Sequence, residues 1–317
     1  MLKIEQVKEA HDNIKCYAKY TPILYSEAAA KDFGFKLMLK AENFQTTNSF
    51  KIRGASNCIL KELESSKGLK GVVTASSGNH GQAVAYVAYR LRIPAIIVMP
   101  ETAPEAKIKA VSRWGAKIEF CGTTSQQRLN RSKQIAEQEG YFEIPPYDHY
   151  NVIAGQGTIG KEILEQVPDV EAVFIPIGGG GLISGIATYI KNIKPQVKVI
   201  GGEPEESNSM SVSIRKGEIV RLDKTDSIAD GLLSLEPGSM TFPLVKKFVD
   251  DIETVSELEI SSAMIACIEY FKTVPEPSGA VSVAAAIKSD WRKGKKIVSL
   301  VSGGNIDMNR LYHLTCV

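Results

Sequence analysis

Gly71-Val72-Val73-Thr74-Ala75-Ser76-Ser77-Gly78-Asn79-His80-Gly81-Gln82 reads as a buried strand, a polar loop and the opening of a helix. The strand shows no polar alternation, so both of its faces must be covered. Helix Gln82–Arg90, strand Pro94–Met99, helix Pro104–Trp114, strand Lys117–Phe120 and helix Ser125–Glu139 follow in turn. Such an alternating run predicts a parallel sheet between helices. A small domain over residues 70–147 is expected, inserted into a larger one built from 1–69 and 148–317. Upstream, residues 4–16 read as a helix and Lys36–Lys40 as a strand. Downstream come helix Gly157–Val167, strand Ala172–Ile177, helix Leu182–Ile193 and strand Val197–Glu203. Helices near 240–250, 257–272 and 278–289 precede a closing strand, Lys296–Ser302. The fold class is α/β: two open, mainly parallel, twisted sheets covered by helices.

Composition narrows the function. The 317 residues carry 38 basic and 36 acidic side chains, a net charge of +2, spread evenly. That balance offers no electrostatic footprint for nucleic acid or an anionic membrane. The five cysteines are scattered without a C-x-x-C pair, so neither a disulfide framework nor a zinc site is indicated. No apolar run reaches membrane-spanning length, and Met1–Gln6 has no signal-peptide character. A cytoplasmic protein is expected.

Three loops and one lysine carry the chemistry. Gly178-Gly179-Gly180-Gly181 lies between an apolar strand and a helix, where successive N–H groups form an anion-binding nest. Gly179 and Gly181 also begin a dinucleotide fingerprint, with Glu203 near the expected acid, but Ser184 stands where the third glycine belongs. Gly155–Glu162 approaches a P-loop, yet Glu162 replaces the magnesium-ligating hydroxyl. Ser76–His80 is a second donor-rich loop before a helix, suited to a carboxylate. Ser302-Gly303-Gly304-Asn305 is the third. Lys51 opens a helix, with Asn48 or Ser49 as its expected N-cap. A lysine in that first turn is unfavourable for stability. An amine held there away from water loses its proton readily and becomes a nucleophile.

Ser49-Phe50-Lys51-Ile52-Arg53-Gly54-Ala55 resembles the cofactor-lysine segment of the fold-type II (tryptophan synthase β-like) pyridoxal-phosphate enzymes, in their serine/threonine dehydratase and serine racemase branch. The resemblance extends to Ser76–Gly81, Gly178–Leu182, Ile153–Thr158, Ile228–Gly231 and Ser302–Asn305. It implies that Lys51 carries pyridoxal phosphate, Phe50 packs on its ring, Asn79 meets its 3′-oxygen and Ser302 faces its pyridine nitrogen. Gly178, Gly179, Gly180, Gly181 and the N–H of Leu182 would hold the phosphate. Ser76, Ser77, Gly78, Asn79 and His80 would grip the carboxylate of an amino-acid substrate. Ser77 would stand opposite Lys51 as a second acid–base group, the arrangement racemisation needs. Arg53 points to another helix face and reads as a structural salt-bridging residue.

The activity implied is an ammonia-lyase (dehydratase) acting on L-threonine or L-serine. The alternatives are a serine racemase with side elimination, or a 3-hydroxyaspartate dehydratase. A mono- or divalent cation is implied at Glu203, Ser207 and Ser209, where the family's aspartate is missing and a hard charged ligand is lost. With fifteen residues after Ser302, no regulatory domain is expected. The family is usually dimeric or larger, so a homodimer is expected.

Overall fold

The computed structural model describes residues 1–66, 68–292 and 295–316. The chain runs α1 (Ile4–Ile14), β1 (Ile23–Tyr25), α2 (Glu27–Phe33), β2 (Lys36–Ala41) and α3 (Lys51–Ser65). Next come β3 (Val72–Ala75), α4 (Asn79–Leu91), β4 (Ala95–Met99), α5 (Glu105–Ser112), β5 (Lys117–Phe120), α6 (Ser125–Glu139) and β6 (Phe142–Glu143). Then follow α7 (Tyr150–Gln166), β7 (Ala172–Pro176), α8 (Gly181–Ile193), β8 (Lys198–Pro204), α9 (Ser209–Lys216) and α10 (Thr241–Phe248). The described chain closes with β9 (Asp251–Val255), α11 (Glu257–Phe271), α12 (Pro277–Lys288), β10 (Lys296–Val301) and α13 (Met308–Thr315).

Two sheets result, as expected. The larger has strand order β1-β2-β10-β7-β8-β9, parallel except for β1. The smaller has order β5-β4-β3-β6 and is all parallel. The continuous apolar runs that predicted two-sided burial are fully buried in β4 and β7. In each sheet the order reverses beside one strand. The chain moves from β3 out to β4 and β5, then returns to lay β6 on the other side of β3. It likewise leaves β7 for β8 and β9, then returns with β10. A crevice opens at the carboxyl ends of strands at such a switch point. The three chemical loops follow β3, β7 and β10 and therefore stand at these crevices. We infer two domains, with 70–147 around the smaller sheet. Helix α3 joins them, since Ile52, Ala55, Cys58 and Ile59 lie in the smaller sheet's core.

The expected cap of α3 is corrected. Its N-cap is Phe50, with no side-chain cap bond, and Lys51 is the first helical residue. Asn48 adopts a left-handed backbone, φ 55°, and turns its amide to the Asn305 Oδ1 at 3.1 Å. Residues 48–50 are paired with the loop after β10 instead: the Phe50 N–H donates to the Ser302 carbonyl, and the Gly304 N–H to the Asn48 carbonyl. Tertiary pairing thus takes over what a local cap would do. The beginnings of α4 and α7 also extend beyond the expected segments, to Asn79 and Tyr150.

A buried ion cluster pins α3. Arg53 donates to both Glu42 oxygens at 2.8 Å and to Glu162 at 2.6 and 2.9 Å. Lys40 donates to Glu162, to Gln166 and to the Thr21 carbonyl. Two cations and two carboxylates neutralise one another, joining β2, α3 and α7. Close approach of α3 to α7 needs glycine: a Cβ on Gly155 would sit 2.5 Å from the Arg53 carbonyl oxygen. Arg53→Met leaves buried carboxylates uncompensated and should cost about 3–5 kcal/mol. Denaturant unfolding checks this, and a loss below about 1 kcal/mol, the worth of an exposed pair, contradicts the clamp.

Candidate active site

The carboxyl ends of both sheets enclose a cavity of about 600 Å³, within the range of small-molecule sites. Its walls include Phe50, Lys51, Ser76, Ser77, Gly78, Asn79, His80, Gly178, Gly179, Gly180, Gly181, Leu182 and Ser302. Every cofactor and substrate residue singled out in the sequence is therefore brought together. Glu203, Ser207 and Ser209 are not among the lining residues.

Lys51 enters the cavity from the start of α3 and donates to the Pro146 carbonyl at 2.7 Å. The Phe50 ring centroid lies 5.2 Å from its Nζ. Among the described residues no carboxylate pairs with it. Burial without a counter-ion disfavours the ammonium and lowers its pKa to about 8. The proposed nucleophile is therefore partly deprotonated near neutral pH.

Opposite lies the glycine loop. Gly180 caps α8 with φ +91°, a left-handed conformation that favours glycine. A Cβ on Gly179 would fall 2.3 Å from the Tyr147 ring. None of the N–H groups of residues 178–182 donates to an acceptor in the described structure. Unpaired N–H groups at a helix start form a phosphate cradle. A lysine amine and an anion-binding nest on one cavity fit the aldehyde and the phosphate of pyridoxal phosphate.

The loop after β3 leads directly into α4, whose first residues Asn79, His80 and Gln82 line the cavity. Gly78 is its N-cap and makes no side-chain cap bond. The Ser76 hydroxyl accepts from the Gly78 N–H at 3.3 Å. His80 is buried and its Nε2 lies 3.0 Å from the Ile144 carbonyl. Burial, with Lys51 nearby, pushes its pKa down to about 3, so the ring is neutral. Its side chain ties α4 to the chain after β6. The Ser302 hydroxyl is buried and lies 3.4 Å from the Ser278 carbonyl.

The Glu203 carboxyl accepts from the Met210 and Ser211 N–H groups at 3.0 and 2.8 Å, capping α9. Burial raises its pKa to about 8. The Ser207 hydroxyl donates to the Leu232 carbonyl, and the Ser209 carbonyl accepts from Ser213. Among the described residues no three His, Cys, Asp or Glu side chains gather as metal ligands.

Several lining residues escaped the sequence reading. Glu276 is buried and accepts from Asn79 Nδ2 at 2.6 Å. Lys107, on α5, bridges to Asp230 across the cavity at 2.7 Å, and Arg310 reaches the same carboxylate at 3.4 Å. Arg113 and Arg128 line the wall without a carboxylate partner among the described residues. Asp230 alone lay in a segment that the sequence had marked. The others sit in no motif, and only the fold brings them near.

Comparison with known proteins agrees. Residues 15–303 match the family described as "Pyridoxal-phosphate dependent enzyme". The L-threonine ammonia-lyase of Thermotoga maritima is 44% identical over 98% of this chain and 77% of its own length. The L-threo-3-hydroxyaspartate ammonia-lyase of Saccharomyces cerevisiae is 43% identical over 96% of this chain and 93% of its own. The structure of maize serine racemase superposes with a TM-score of 0.93 at 39% identity, covering 98% of this chain and 96% of that one. The chain belongs to the pyridoxal-phosphate-dependent enzymes, in fold type II.

Lys51 should show its altered basicity directly. In cofactor-free protein, the rate of reaction with pyridoxal phosphate should rise with pH to a midpoint near 8 and then level off. An ordinary lysine, at about 10.4, would be accelerating still at pH ~9.5. Stopped-flow absorbance reads the midpoint, and a value above about 9.5 contradicts the burial account.

Proposed function

We propose that this chain is a pyridoxal-phosphate-dependent ammonia-lyase converting L-threonine or L-serine to a 2-oxo acid and ammonia. The observation that carries it is the Lys51 amine, without a carboxylate partner among the described residues and lining the same cavity as the free N–H groups of residues 178–182. Pyridoxal phosphate, when bound, supplies an electron sink for the bond broken at the substrate Cα. The N–H groups of residues 178–182 would hold its phosphate, with Phe50 and Asn79 on the same cavity wall to receive its ring. Ser302 would offer the ring nitrogen a neutral hydroxyl in place of a carboxylate, which would moderate that sink and favour elimination. Ser76, Ser77, Gly78, Asn79 and His80 grip the substrate carboxylate with the start of α4. Lys51 then takes the Cα proton. The β-hydroxyl leaves as water on taking up one proton, which balances the Cα proton passed to Lys51, and the released enamine then consumes one water to give 2-oxo acid and ammonia.

Two further activities have support from particular residues. Ser77 lines the cavity with Lys51, so a second proton-transfer group is present for racemisation of serine. Arg113 and Arg128 give the wall unpaired cations that suit the second carboxylate of 3-hydroxyaspartate. A cation at Glu203, Ser207 and Ser209 would have to draw the Glu203 carboxylate from two backbone N–H groups. We give it no part in the chemistry. We also infer a cytoplasmic homodimer. What the structure itself gives is that no described helix is long and apolar enough to cross a membrane.

Purified protein should be incubated with L-serine, L-threonine and L-threo-3-hydroxyaspartate, with ammonia, 2-oxo acid and D-enantiomer measured. Pyruvate should exceed D-serine. Ser77→Ala should lose D-serine formation far more than pyruvate. D-serine outpacing pyruvate overturns the order of activities, and equal losses in Ser77→Ala remove Ser77 from the second face.

A further inference from the structure

Glu276 is the N-cap residue of α12, yet its side chain makes no cap bond to that helix. Short oxygen-bearing side chains at this position ordinarily accept from their own helix. Here the carboxyl turns instead toward the cavity and Asn79. Room for it is made by Gly303, where a Cβ would fall 2.1 Å from Glu276 Oε1.

The surrounding amides run in one direction. Asn305 Nδ2 faces the Thr47 carbonyl at 2.9 Å, and a carbonyl can only accept. That contact fixes which end of the Asn305 amide is nitrogen. Its oxygen therefore faces Asn48 Nδ2 at 3.1 Å. The same Asn305 nitrogen meets Asn79 Oδ1 at 2.7 Å and Gln82 Oε1 at 3.0 Å. Asn79 must then turn its own nitrogen to Glu276 Oε1, at 2.6 Å. One of the two Asn79 N–H bonds is used, and the other is left for the cavity.

We propose that Glu276 is a positioning residue: by accepting one Asn79 N–H at the end of this directed chain, it presents the other to the oxygen of the cofactor ring. The role rests on Asn79 meeting that oxygen, as proposed above. Without an acceptor at 276 the Asn79 amide is held at its oxygen end only, and its free N–H is no longer aimed.

The carboxyl acts in its protonated form at neutral pH. Burial raises its pKa to about 8, and the Asp230 carboxylate adds to the rise. Asn79, Lys107 and Arg310 act the other way, and His80 on α4 is neutral. Ionisation above that point places a charge at the end of the amide chain and alters the donor offered to the ring.

The test uses holoenzyme and the visible spectrum of bound cofactor from pH 6.5 to 9, with Glu276→Gln, Glu276→Leu and Lys51→Ala. Glutamine keeps a neutral acceptor at the same reach. E276Q should hold the wild-type absorption maximum at pH 7. It should lack an alkaline change that the wild type shows with a midpoint near 8. E276L should move the maximum at pH 7 and lower kcat about tenfold with KM little changed. The same alkaline change in E276Q as in wild type overturns the role, as does an unmoved maximum in E276L. If E276L does not fold, E276Q alone decides. Wild-type protein lacking any band that Lys51→Ala abolishes overturns the cofactor reading and the positioning role together. A normal Lys51-dependent band with the wrong E276Q behaviour overturns the role alone.

Discussion

An amine buried without a counter-ion is the constraint on which this structure turns. Such a group costs free energy in its charged form and persists only where the surrounding fold holds it. Lys51 is held by its helix, and α3 is held by the Arg53–Glu42–Glu162–Lys40 cluster two residues on. The chain before the helix is stitched to the loop after β10. The lysine thus sits at the junction of both sheets, and its basicity is set by that placement.

The two sheets make the rest of the site by the same topological device. Each reverses strand order beside one strand, and each reversal opens a crevice at carboxyl ends. One crevice carries the free N–H groups of residues 178–182, the other the start of α4. Lys107 on the smaller side and Asp230 on the larger span the gap between them.

Much of this was legible in the sequence because it is local. Apolar runs followed by glycine-rich or serine-rich loops gave the strands, their order along the chain and the three loops. The edges of helices were less legible. Asn48 is a good capping residue by type, but pairing with residues 302–304 gave it another partner. Glu276, Arg113 and Arg128 were invisible for a related reason. Nothing beside them in the chain marks them, and contacts such as Asn79 with Glu276 span nearly 200 positions. Glu203 shows the converse: a suggestive spacing whose carboxyl the fold uses to cap α9.

The central claim is that one lysine carries the cofactor. Borohydride reduction of the holoenzyme fixes the linkage, and peptide mass analysis then locates it. The pyridoxyl mass should fall on the peptide containing Lys51 and on no other. Its presence on another lysine, or the absence of any modified peptide from coloured protein, contradicts the account.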